Sequence, residues 1–182
     1  MEFSKEIDGK KMVVKIGEVA QQANGSCLVG LGETIVLATA TIDSKEVESD
    51  FFPLTIDYEE RFYAAGKIKG SRFIKRETRP PDEAILAARA IDRGIRPLFD
   101  ERLRFPVQVI ATVLAVDKEN DPDLVALYAA SLALSTSDIP WQGPISGVRV
   151  GRGNNQFVLN PSYQQREISD LDLLFLLEEI VF

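Results

Sequence analysis

Val107–Ser135 reads VQVIATVLAVDKENDPDLVALYAASLALS. Its first ten residues are the most apolar run in the chain and are rich in β-branched side chains, which predicts a central strand. Asp121-Pro122-Asp123 then starts a helix, with an acidic cap and proline in the first turn, where its missing N–H costs nothing. Leu124–Ser135 is apolar nearly all round, so that helix should be largely buried.

The sheet partners lie upstream. Phe3–Ile7 and Met12–Ile16 alternate around Asp8-Gly9-Lys10, the grammar of a hairpin. Ser26–Leu31 and Thr34–Thr41 make a second hairpin around Gly32-Glu33. The strand TIVLATAT is apolar enough to be covered on both faces. Phe51–Tyr58 (FFPLTIDY) predicts a further strand with Pro53 near its start. Pro81 and the acidic pair Asp82-Glu83 begin a helix whose apolar positions Ile85, Ala88, Ile91 and Ile95 share one side, and Pro97 ends it. Downstream, Ile145–Val150 and Gln156–Leu159 form a hairpin, and Leu171–Leu177 reads as a strand before an abrupt apolar end that suggests truncation. The fold expected is α+β: a mixed sheet of β-hairpins with helices packed on one face, incomplete at its C-terminus.

Composition narrows the chemistry. The 182 residues are 45% hydrophobic, enough for one sizeable core. Cys27 is the only cysteine and histidine is absent, which removes intramolecular disulfides, the commonest general base and most zinc sites. The N-terminus lacks a signal-peptide pattern, and no run approaches the roughly 20 apolar residues of a membrane span. A soluble protein in the cytoplasm, without membrane partners, is the expectation.

Against a net charge of −7, residues 61–104 hold 12 of the 21 Lys and Arg residues and only 6 acids. Lys67–Arg79 (KIKGSRFIKRETR) is the densest part, a surface loop by its lack of periodicity. A local positive field on an acidic chain attracts polyanions. Phe73 among Arg72, Lys75 and Arg76, with Arg79 ending the run, suits the unpaired bases of RNA or DNA, the ring stacking on a base while cations hold phosphates. The alternative is a solvated loop with Phe73 tucked into the core. On the following helix Arg89, Arg93 and Arg96 share one side and could take phosphate or RNA backbone, or could instead salt-bridge with Asp92. Asp57, Glu59 and Glu60 read as surface charge, Asp117, Glu119, Asp121 and Asp123 as capping. Asp170 and Asp172 are weaker as a magnesium pair than as a solvated strand entrance.

In this order, FFPLTIDYEERFYAAGKIKG, KRETRP, AIDRGIRPLF, VQVIATVLAVD and DPDLVALYAASLALSTSDIPWQGPISGVRVG resemble the first core domain of the polynucleotide phosphorylase family. The resemblance runs to about Asp172, giving residues 1–172 as a first ribonuclease PH-like core domain and 173–182 as a divergent or truncated end. It implies a phosphorolytic 3′-to-5′ exoribonuclease of mRNA degradation, which converts RNA and inorganic phosphate reversibly to nucleoside diphosphates with magnesium. It further implies a homotrimeric ring and a catalytic centre in a second core domain. The resemblance puts the family's RNA-contacting loop of two aromatics and two arginines on Phe73, Ile74, Lys75 and Arg76, and Gly94 where the family has proline.

By that reading this chain contributes RNA binding and ring assembly, with no catalytic residue and no magnesium site of its own. A stand-alone noncatalytic RNA-binding or scaffold protein, or a self-sufficient ribonuclease PH-like enzyme using Arg93, Arg96 and Asp170 or Asp172, are the rival expectations.

Overall fold

A computed structural model of the protein describes residues 1–7, 9–68, 70, 79–117, 119–153 and 155–178. The strands β1 (Glu2–Ile7), β2 (Lys10–Ile16), β3 (Gly25–Leu31), β4 (Thr34–Ile42), β5 (Leu54–Glu60) and β6 (Val107–Ala115) make one mixed sheet in the order β1-β2-β3-β4-β6-β5. All pairs are antiparallel except β5 with β6. A parallel neighbour cannot be reached by a tight turn, so the chain crosses over through helix α1 (Asp82–Ile95). Helix α2 (Pro122–Ser135) follows β6. A second, three-stranded sheet contains β7 (Ile145–Gly153), flanked by β8 (Gln156–Leu159) and β9 (Asp172–Glu178), with the short helix α3 (Tyr163–Glu167) between the last two strands.

Both long helices pack on the same side of the large sheet, and α2 also meets β7. Ten α2 residues are therefore buried, from Pro122 to Leu134, which is what its all-round apolar sequence demands. Small side chains let it approach closely: Ala126, Ala129, Ala130 and Ala133 have no exposed surface. Its two polar interior groups serve the second sheet. Ser131 Oγ accepts from Ile145 N–H at 2.9 Å, and Tyr128 donates its hydroxyl to the Gly147 carbonyl at 2.6 Å.

β4 departs from expectation. Thr34, Val36, Ala38 and Ala40 are fully buried beneath the helices, but the alternating Ile35, Leu37 and Thr39 are only half-buried, so just one face is covered. β5 also begins later than its sequence suggests. Phe52 is drawn out of the ladder into the core, with its ring 4.7 Å from that of Phe99, and the Pro53 carbonyl accepts from Val107 N–H. The outer face of the small sheet exposes Phe157, Leu159, Leu173, Phe175 and Leu177.

Two glycines fix how these parts meet. A Cβ on Gly25, where β3 passes the end of α2, would lie 2.0 Å from the Ala133 carbonyl oxygen. Gly32 takes a φ of +60° in the two-residue β3–β4 turn, and a Cβ there would meet Asn120 at 2.6 Å. Asn120 belongs to a clamp centred on Asp117, whose carboxylate accepts from the backbone of Glu33 (3.1 Å), Glu119 (2.8 Å) and Asn120 (2.8 Å) and from Asn120 Nδ2 (2.6 Å). Burial works to raise the Asp117 pKa, but these donors outweigh it and bring it down to about 2.

Replacing Gly25 with alanine should lower unfolding free energy by about 3 kcal/mol, because the added methyl meets backbone rather than a movable side chain. Urea denaturation checks this. Asp117→Asn should flatten the acid limb of the stability–pH curve. A carboxylate with a depressed folded pKa stabilises fully above its unfolded value of about 3.9 and loses that contribution as pH falls through about 2.

Candidate nucleic-acid interface

Lys69 and residues 71–78 lie outside the described residues, and with them Arg72, Phe73, Lys75 and Arg76. The borders of that stretch are described. Lys67 and Ile68 are exposed, and Arg79 lies loosely 4.0 Å from Asp82. Just upstream, Phe62–Ala65 forms a 3-10 turn closed by Gly66 in the left-handed region and tied to the sheet by Val116 N–H donating to the Ala64 carbonyl. It presents Phe62 at 43% and Tyr63 at 57% exposure. The sequence signal for these two rings is FYAAGK, an aromatic pair one short turn ahead of the cationic run.

The described arginines converge. α1 lies along the edge strand β5, and a cleft of about 380 Å³ between them is lined by Arg89, Arg93 and Arg96 together with residues 54–58. The helical period explains the convergence, since these positions lie opposite the buried Ala84, Ile91 and Ile95.

The three do different work. Arg96 is held by Asp92, with Nε to Oδ2 at 3.0 Å and Nη2 to Oδ1 at 2.6 Å. It also donates to the carbonyls of Phe52 (3.4 Å) and Leu54 (3.2 Å), locking the helix end onto β5. Arg89 and Arg93 are exposed and, among the described residues, have no ion-pair partner. Asp92, which the sequence offered to either Arg89 or Arg96, is taken by Arg96. The cleft's three arginines outweigh Asp57 and Asp92 by one charge (3 − 2 = 1), and Asp57 also accepts from Gln108 Nε2 at 3.1 Å. A cleft with free guanidinium groups can hold a phosphodiester; guanidinium lacks the basicity change needed for proton transfer near neutral pH.

The carboxylates are engaged elsewhere. Glu59 pairs with Arg61, and Glu60 accepts from the Tyr58 hydroxyl at 2.8 Å. Asp170 binds Arg152 through two bonds of 2.8 and 2.7 Å. Asp172 meets Arg166 at 3.1 Å and Arg149 at 3.4 Å. Arg149 also pairs with Asp121 and, at 3.1 Å, with Asp123, so the start of α2 is bound to β7 and β9 by a largely buried charge network. Burial and the neighbouring Asp121 push Asp123 up to about 6, partly opposed by Arg149. Among the described residues no group of three or more acids, Cys or His is placed to hold a metal. Cys27 is buried in the core and its thiol is pushed up to about 11 by that burial, far from a reactive thiolate.

Replacing Arg149 with leucine should cost about 3–5 kcal/mol at pH 7, because Asp123 would be left buried without its arginine and Asp121 would keep only one, Arg166. The deficit should shrink as pH falls through about 6 and Asp123 takes up a proton, which denaturation at several pH values measures.

Comparison with known proteins agrees with this architecture. Residues 8–140 match the model of the 3′ exoribonuclease family, domain 1, and residues 143–179 that of the same family's domain 2. The polyribonucleotide nucleotidyltransferase of Anoxybacillus flavithermus is 54% identical over 94% of this chain, and that of Heliobacterium modesticaldum 55% identical over 94%. The chain spans only about a quarter of these relatives, 24% of each. An Archaeoglobus fulgidus exosome with RNA bound to the active site shares the fold at a TM-score of 0.70 and 21% identity, covering 94% of this chain and 76% of that one. An archaeal exosome core does so at 0.65 and 18%, covering 96% and 70%. With its family model matched across residues 8–140 and its mixed sheet and helices arranged as in exosome cores, this chain belongs to the 3′ exoribonuclease family and has the ribonuclease PH-like fold.

Proposed function

We propose that this chain is the RNA-holding first core domain of a phosphorolytic 3′-to-5′ exoribonuclease, and that its α1–β5 cleft takes the phosphate backbone of single-stranded RNA. The observation that carries this is the pair of exposed arginines, Arg89 and Arg93, left without ion-pair partners among the described residues while Arg96 anchors their helix. Arg72, Phe73, Lys75, Arg76 and Arg79 extend the same basic field along the sequence, and the exposed Tyr63 borders it.

In the whole protein the reaction is transfer of the 3′-terminal nucleotide to inorganic phosphate. A phosphate oxygen attacks the last phosphodiester, the bond to the preceding 3′-oxygen breaks, and a nucleoside diphosphate leaves. One phosphoric ester and one hydroxyl are exchanged for an anhydride and a hydroxyl, so the reaction runs in either direction. The centre for this step, and any magnesium that assists it, belongs in our reading to a second core domain; Asp92, Asp170 and Asp172 are paired with arginines here. The homotrimeric ring, the role in mRNA degradation and the cytoplasmic setting are parts of the same proposal.

Arg89→Ala/Arg93→Ala should weaken binding of a labelled oligoadenylate about tenfold at low salt. It should also reduce the slope of log affinity against log salt by about 1.4, at roughly 0.7 per lost single-strand phosphate contact. Phe73→Ala/Lys75→Ala/Arg76→Ala should weaken it independently. Unchanged affinity and slope in the arginine variant would overturn the cleft assignment. Phosphate-dependent release of nucleoside diphosphates by this chain alone would overturn the division of labour and favour a self-sufficient enzyme.

A further inference from the structure

A second cavity, of about 450 Å³, opens at the C-terminal ends of β5 and β6. These are the one parallel pair in the large sheet, and ligands of α/β sheets favour that end of parallel strands. Val113, Val116 and Pro122 give it apolar walls, and its polar lining comes from Glu60, Asn120 and Tyr163.

Asn120 is only 5% exposed, and its amide nitrogen donates to Asp117. Asp117 is held ionised and can only accept, which fixes the amide orientation and leaves Oδ1 as the free end. That Oδ1 is buried and has no hydrogen-bond partner. Closed off from solvent, that oxygen is also closed off from the cavity, so Asn120 contributes wall rather than an acceptor. Glu60 uses Oε1 to accept from Tyr58, and its other oxygen has no partner among the described residues. The Tyr163 hydroxyl is spent donating to Asp121 at 3.3 Å. The cavity therefore offers the free carboxylate oxygen of the exposed Glu60, one aromatic ring and negative charge. It suits a neutral, flat group bearing N–H donors and repels phosphate.

We propose that this cavity takes a guanine base of the bound RNA, an inference that rests on the RNA-binding reading above. Guanine is the nucleobase whose ring N–H and exocyclic amine put two donor groups side by side; adenine, cytosine and uracil each offer donors at one position only. A carboxylate is the matching acceptor for that edge. Ala64 joins the site to the exposed Phe62–Tyr63 turn, so a base held here adjoins the border of the basic stretch.

Calorimetric titration of guanosine, adenosine and uridine into the protein tests this with probes that carry no phosphate and so bypass the arginine cleft. Guanosine should bind at least about fivefold more tightly than the other two. Glu60→Gln should weaken it about tenfold, because the Tyr58 hydroxyl keeps the amide oxygen and leaves an N–H₂ facing guanine's own donors. Ala64→Leu should abolish saturable binding by filling the space. Arg89→Ala/Arg93→Ala should leave guanosine binding unchanged.

No saturable guanosine binding, equal affinity for the three nucleosides, or affinity indifferent to both Glu60→Gln and Ala64→Leu would overturn the inference. If oligoadenylate binding remains arginine-dependent in that case, the pocket alone fails. If it does not, the reading beneath it fails as well.

Discussion

A helix with no polar face cannot be left at a surface, and α2 is such a helix. Burying it requires cover on opposite sides, which the large sheet and β7 supply. Its alanines set the spacing to β3 and β4, and its Ser131 and Tyr128 pair with backbone groups of β7. The charge network of Arg149 and Arg166 with Asp121, Asp123 and Asp172 joins the helix start to α3 and β9. The two sheets thus share one helix as their common core.

The functional surface grows from what this core leaves outside. The crossover between the parallel strands β5 and β6 has to run over the sheet edge, so α1 lies beside β5 with one side buried and the other available. Arg96 spends its charge on Asp92 and on two β5-side carbonyls, a structural use of an arginine that sequence alone grouped with its neighbours. That use leaves Arg89 and Arg93 aimed at a cleft whose far wall is an edge strand. Anchoring by one arginine and exposure of two others are complementary parts of the same arrangement.

Much of this was legible in the chain. The β1–β2 hairpin, the turn at Gly32-Glu33, the helix start at Pro81, and the apolar runs of β6 and α2 follow from short-range rules that tertiary contacts reinforce. What escaped depends on longer-range competition. Phe52 belongs to an extended apolar run but is claimed by Phe99, so β5 starts at Leu54. The alternation in β4 was masked because its outward residues are also apolar. Helix α3 did carry a local signal, the capping box of Ser162 and Gln165, too short to stand out beside the longer periodic segments. Within the candidate site, the grouping of the three arginines was readable from helical spacing, while their separate partners required the fold. The second cavity was unreadable, because Glu60, Asn120 and Tyr163 are far apart in sequence and meet only through the parallel strand pair and α3.

The most direct measurement of the central claim is a crystal structure of this protein with a short single-stranded RNA. The account predicts ordered phosphate in the α1–β5 cleft within hydrogen-bonding distance of both Arg89 and Arg93. RNA ordered on another surface, with those two guanidinium groups facing only solvent, would contradict it.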